Sequence, residues 1–131
     1  MDFKAFSTDF AKEVDGTYDE YDDMKSVFII PLANGRNQTV IAEIKEHTDG
    51  REMVRVDSRI CKLFSPIKYS EILAASVNFI HARFIAEDDY LKAEASFYLD
   101  NLNEGIIKEM IMEVAQVADD WELEITGEDI H

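Results

Sequence analysis

"SVFIIPLANGRNQTVIAEIKEHTDGREMVRVDSRIC", residues 26–61, holds two turn dipeptides between apolar runs. Asn34-Gly35 and Asp49-Gly50 tolerate positive φ, which type I′ hairpin turns require. The stretch therefore predicts three successive strands, at about 26–33, 37–48 and 51–62. On the third, spacing of four means one face of a strand, so Arg51, Arg55 and Arg59 point the same way.

The faces follow from alternation. Val54, Val56, Ser58 and Ile60 are expected inward, and Arg51, Met53, Arg55, Asp57, Arg59 and Cys61 outward. The second strand buries Val40, Ala42 and Ile44 and turns Ile41, Glu43, Lys45 and His47 out. In the first, Phe28, Ile30 and Leu32 oppose Val27 and Ile29. Pro31 lacks an N–H and marks this as an edge strand.

Outward from this core, Phe3, Phe6, Phe10 and Val14 repeat at helical spacing and predict a helix over 3–14 that ends at Asp15-Gly16. "TYDEYDDMK", residues 17–25, is polar and acidic and reads as a loop. "SEILAASVNFI", residues 70–80, reads as a helix with Ser70 as N-cap. A second hairpin turns around Glu87, Asp88 and Asp89. Its second arm alternates: Leu91, Ala93, Ala95, Phe97 and Leu99 in; Tyr90, Lys92, Glu94, Ser96 and Tyr98 out. From 103 to 123, Ile106, Ile107, Met110, Ile111, Val114, Val117, Ala118 and Trp121 form a stripe wide enough to cover a sheet, stopped near Gly127. The order is α-β-β-β-α-β-β-α: one α+β domain over residues 1–131, an antiparallel sheet with helices packed on one face.

Composition bounds the function. The formal net charge is −15, yet 47% of residues are hydrophobic, so the chain can build a core. Phosphates would repel this surface, and so would anionic membranes; neither nucleic acid nor membrane is expected as a partner. A basic partner or simple solubility remains. Residues 1–25 carry eight acids against three lysines, and residues 100–131 carry ten against one. Residues 26–99 are nearly neutral, with ten acids and nine basic residues. Cys61 stands alone, so no internal disulfide forms, in keeping with a reducing compartment. The N-terminus shows no signal peptide, and no apolar run is long enough to span a membrane.

Motifs that carry chemistry are absent: GxGxxG, GxxxxGK[ST], CxxC and HExxH. "DGTYDEYDDMKS", residues 15–26, fails as a calcium loop, because Glu20 and Ser26 stand where Gly and Glu are needed. Asp88-Asp89 and Asp119-Asp120 are neighbours that point apart, and read as solvated surface. His47 and His81 fall on separate predicted strands, His131 is terminal, and Cys61 reads as packing. No catalytic residue, cofactor or metal is expected, and the chain is not read as an enzyme.

The outer face of the sheet mixes Ile29, Ile41 and Met53 with Arg51, Arg55 and Arg59. One reading is cross-strand pairing, with Arg55 and Arg59 meeting Glu43 and other acids. The other is docking: a sheet face left to water should be mostly polar, and aliphatic, Met and Arg side chains together resemble an interface. These six residues are the candidate partner-binding site, for another protein or a second copy of the chain. An alternative is an acidic inhibitor or immunity-type protein that blocks a basic target, using Asp119, Asp120, Glu122, Glu124, Glu128 and Asp129.

The segments "GRNQTVIAEI", "VRVDSRIC", "ARFIAEDDYLKAEASFYLD" and "VAQVADDWELEITGED", taken with the order of elements, resemble the YbjN-type proteins. This is a bacterial family that shares the fold of type III secretion chaperones of the Tir-chaperone kind. The resemblance implies a small, acidic, cytoplasmic, non-enzymatic protein, often dimeric. It implies binding to a client or regulatory protein, and no catalytic residues to carry over.

Overall fold

The computed structural model describes residues 2–22 and 24–127. Three helices, α1 (Phe3–Glu13), α2 (Tyr69–Ala75) and α3 (Glu104–Thr126), accompany six strands. These are β1 (Thr17–Asp22), β2 (Lys25–Pro31), β3 (Asn37–Glu46), β4 (Glu52–Lys62), β5 (Arg83–Glu87) and β6 (Tyr90–Tyr98). All pairings are antiparallel, in one sheet of order β1-β2-β3-β4-β6-β5. The expected α+β architecture holds, with one strand more than expected.

That strand is β1, in the acidic stretch read as a loop. Tyr18 is opposite Phe28 in the register, with ring centroids 5.8 Å apart over the core. A neighbouring strand with free backbone groups overrides the poor strand propensity of aspartate. Because β1 takes the edge, β2 is internal, contrary to the reading of Pro31. That proline sits at the end of β2, beyond Ile29, where pairing with β1 begins at Thr17, so its missing N–H interrupts no β1–β2 ladder bond.

Helix α3 lies across β3, β4 and β6, and α1 lies over β1 and β2. Both are capped by side chains: Asp2 accepts from the Ala5 N–H and Asn103 from the Ile106 N–H. Gly127, at φ 72°, closes α3. Between helices and sheet, Val40, Ala42, Val54, Val56 and Ile60 meet Ile107, Met110, Ile111 and Val114, all fully buried. Phe10 stacks on Phe6 at 5.5 Å and meets Phe28 edge-on at 5.7 Å. Helix α2 is shorter than expected: Lys68 is its N-cap, Ser70 lies inside it, and a 3₁₀ turn takes over at Ser76.

The turns divide by chemistry. Asn34 and Gly35 both have positive φ, as a type I′ turn needs, and so do Asp88 and Asp89. At the third hairpin only Gly50 is left-handed; its N–H donates to the His47 carbonyl. This is a longer loop with a glycine bulge, not the expected type I′ turn.

A second bulge corrects the face of Cys61. The β4–β6 register slips between Arg59 and Cys61, so Ile60 and Cys61 are both buried in the core. One extra residue on β4 turns the thiol from the outer face to the inner one.

Candidate protein-docking faces

Helices cover one face of the sheet, and the side chains of the other divide into two halves. Val27 is opposite Ile41, and Ile29 is opposite Thr39, which makes an apolar strip along β2 and β3. Next to it, Asp57 pairs with Glu94 and Glu94 with Arg83, which opens a charged half along β4, β6 and β5. Arg55, Asp57, Lys92 and Glu94 retain only 3–8% exposure although no helix lies over them. They bury one another.

Arg55 is the centre of this cluster. Its two terminal nitrogens donate to the Glu87 carboxylate at 2.8 and 2.7 Å, and Nε lies 3.6 Å from both Asp57 and Glu94. Lys92 Nζ donates to Glu87 at 3.0 Å, and Arg83 holds Glu94 at 3.2 and 3.0 Å. The Arg55 and Lys92 hydrogen bonds hold Glu87 down to about 2. Burial pushes Asp57 up, against the pull of Lys92 and Arg55. The cross-strand reading of Arg55 is thus realised, but with other acids. Glu43 stands directly opposite Arg55 yet pairs with Lys45 at 3.7 Å.

The three arginines differ. Arg51 lies 3.5 Å over the Tyr98 ring and Arg59 4.2 Å over the Tyr90 ring, both at cation–π distance and both exposed. Ile29 is 44% exposed, and Ile41 and Met53 are half-buried. Of the six candidate residues, Arg55 is engaged within the chain and five present surface.

A second apolar surface had no place in the sequence reading. Phe64, Tyr69, Leu73, Val77 and Ile80 are 53–84% exposed along one short stretch, while Ile72 alone from α2 enters the core. The spacing of Tyr69, Leu73 and Val77 was visible in the sequence, but the outward direction was not. The loop after it is pinned by Glu113, which accepts the N–H groups of Ile80, His81 and Ala82 at 2.9, 2.6 and 2.5 Å.

The acids proposed for an inhibitor are partly diverted inward. Asp119, 1% exposed, takes hydrogen bonds or ion pairs from Arg36 at 2.8 and 2.7 Å, and Glu122 is fully buried. Asp120 and Glu124 are exposed; Glu128 and Asp129 lie outside the described residues, as does His131. Burial pushes the Cys61 thiol up, which disfavours a thiolate nucleophile. Among the described residues, no three His, Cys, Asp or Glu side chains are placed to hold a metal ion, and no helix is long and apolar enough to cross a membrane.

Two solved structures resemble this arrangement. A chain of the HopA1–SchA chaperone–effector complex matches with a TM-score of 0.58, at 14% identity over 92% of each chain. A chain of the ExsC–ExsE complex matches with a TM-score of 0.52, at 10% identity over 95% of this chain and 97% of that one. The chain shares its α+β fold with these two structures. No family model and no curated protein matches the sequence.

Proposed function

We propose that this chain is a non-enzymatic protein-binding module, chaperone-like or regulatory, that works in the cytoplasm as a homodimer. One observation carries the reading: a secretion-chaperone-like domain presents two separate apolar surfaces, the β2–β3 strip with its flanking arginines and the Phe64–Ile80 stretch. Isolated apolar residues on a surface are ordinary, but contiguous patches mark contacts. The YbjN-type affinity belongs to the same proposal, and the shared fold supports it at the level of architecture.

The two surfaces take different occupants. A dimer of a chain with net charge −15 must bring two copies together where acid is sparse. Residues 64–80 contain one lysine and one glutamate, so the stretch carries no net charge. Twofold symmetry places the same patch on both copies, which suits a self-complementary apolar stretch. The sheet face, with Ile29, Ile41, Met53, Arg51 and Arg59, is left for a client segment. Arg55 supports that face from beneath.

Mass in solution tests the dimer: the wild type should be twice the chain mass, and Leu73→Asp with Val77→Asp should be monomeric yet folded. A monomeric wild type, or an unaffected double variant, would refute it. Client binding is read by capture from lysate at low and high salt with Ile29→Asp and Arg59→Glu, which spare the buried Arg55 cluster. A defined partner held at high salt and lost in the variant supports apolar docking. A basic partner lost at high salt supports the inhibitor reading instead.

A further inference from the structure

The strand ends of β4, β6 and β5 line a groove of about 490 Å³ that shares Met53 with the proposed client face. Its volume falls in the range of about 300–1,000 Å³ common to small-molecule sites. The sequence placed His47 and His81 on separate strands with no shared role. The fold brings both to this groove, from the end of β3 and the approach to β5.

Its walls are fixed before any ligand arrives. On one side the Tyr98 hydroxyl donates to Asp49 at 2.6 Å, Arg51 covers the Tyr98 ring, and the His47 ring meets it edge-on at 5.9 Å. On the other, Glu113 holds the backbone of residues 80–82, and His81 Nε2 lies 3.0 Å from Glu109. Met53 supplies half-buried apolar lining, and the Tyr98 ring stands opposite it in the register on the same face.

The polar groups favour an anion. Arg83 is 66% exposed, and Glu94 occupies its Nε and one terminal nitrogen. Among the described residues no partner engages the other terminal nitrogen. Ser96, Asn101 and the His47 ring add groups without a side-chain hydrogen bond among those residues. The one carboxylate in the lining, Glu94, is 3% exposed and held by Arg83 and Arg55, so no free carboxylate lines the groove for a cation.

We propose that this groove binds a small amphipathic carboxylate: the apolar body against Met53 and the Tyr98 ring, the carboxylate on Arg83 with Ser96 and Asn101 beside it. Charge-assisted bonds to a guanidinium of this kind are stronger than neutral ones. Such a group comes either from a free aromatic or aliphatic acid or from the C-terminal residue of a peptide. The inference goes beyond the proposed function, because it needs no dimer and names a small ligand instead of a protein client, with Met53 common to the groove and the client face.

Calorimetry on the full chain tests it, with 3-phenylpropanoate for the free acid and N-acetyl-phenylalanine for a peptide end, each against its amide. At least one acid should bind, about tenfold or more tighter than its amide, the effect of losing one charge-assisted hydrogen bond. The tighter of the two acids names the source. Arg83→Gln should weaken binding by a similar factor, and Ser96→Phe, at an exposed position, should abolish it by filling the groove. The proposal is overturned if neither acid binds at millimolar concentration, if acid and amide bind alike, or if Ser96→Phe binds as the wild type does. Loss of the dimer or of the client in other variants has no bearing on these readouts.

Discussion

Replacing Glu87 with Gln should expose how much the charged half of the open sheet face contributes to stability. Glu87 receives two hydrogen bonds from Arg55 and one from Lys92, and these hold its carboxyl at about 2 instead of 4.5. At about 1.36 kcal/mol per pKa unit, that depression corresponds to about 3 kcal/mol between the charged and neutral forms. The side chain is 37% exposed, so solvent screening reduces the figure to about 1–2 kcal/mol. The sign follows from the direction of the shift. A carboxyl lowered on folding stabilises the native state above its unfolded value, and the contribution disappears as pH falls from about 4.5 to about 2. The Glu87→Gln variant should therefore lose about 1–2 kcal/mol at pH 7 and less than half of that at pH 3. Arg55→Met should cost more, about 3 kcal/mol or above, because it strands Asp57 and Glu94 with less compensation. Urea unfolding, followed by the fluorescence of the single tryptophan, Trp121, measures both. A Glu87→Gln cost near zero at pH 7, or one equally large at pH 3, would refute the assignment of Glu87 as the charge partner that locks this face.

Other substitutions probe other links. Asp89→Gly should stabilise by about 0.5–1 kcal/mol, because Asp89 holds φ 65° without glycine's freedom; a scan of melting temperature reads it. Gly16→Ala should destabilise, since the new Cβ would stand 2.5 Å from the Ile29 carbonyl oxygen and push β1 from β2; amide exchange in β1 should rise. Burial pushes Glu113 up, but three backbone N–H groups overcome it and leave the carboxyl below its usual value. Glu113→Gln should then cost about 1–3 kcal/mol at pH 7, with the difference shrinking as pH falls below the unfolded carboxylate value; denaturation at pH 7 and pH 3.5 reads this. Gly127→Ala should fray the end of α3 and cost about 1 kcal/mol by circular dichroism melting, since φ there is 72°.

The sequence by itself determined what depends on neighbours along the chain. Turn residues with tolerance for positive φ located the hairpins at Asn34-Gly35 and Asp49-Gly50, although the second closes through a longer loop with only Gly50 left-handed. Periods of two and 3.6 separated the strands from α1 and α3 and named nearly all of the core, from Phe10 to Val114. The α+β architecture, an antiparallel sheet with helices on one face, was legible at that level. What only the tertiary structure decided depends on residues distant in sequence. The acidic segment at 17–22 becomes a strand because β2 offers it a ladder. The Arg59/Cys61 bulge turns the thiol inward, which no alternation rule can show. β6, not β5, lies next to β4, and this brings Arg55 to Glu87 instead of Glu43. The packing of α3 over β3 carries Asp119 to Arg36, and the sheet brings His47 and His81 to one groove. Of the candidate site, the sequence identified the face and its residue types. Which arginines remain on the surface was settled by cross-strand geometry, because a charge on a sheet pairs with whatever carboxylate the register brings within about 4 Å.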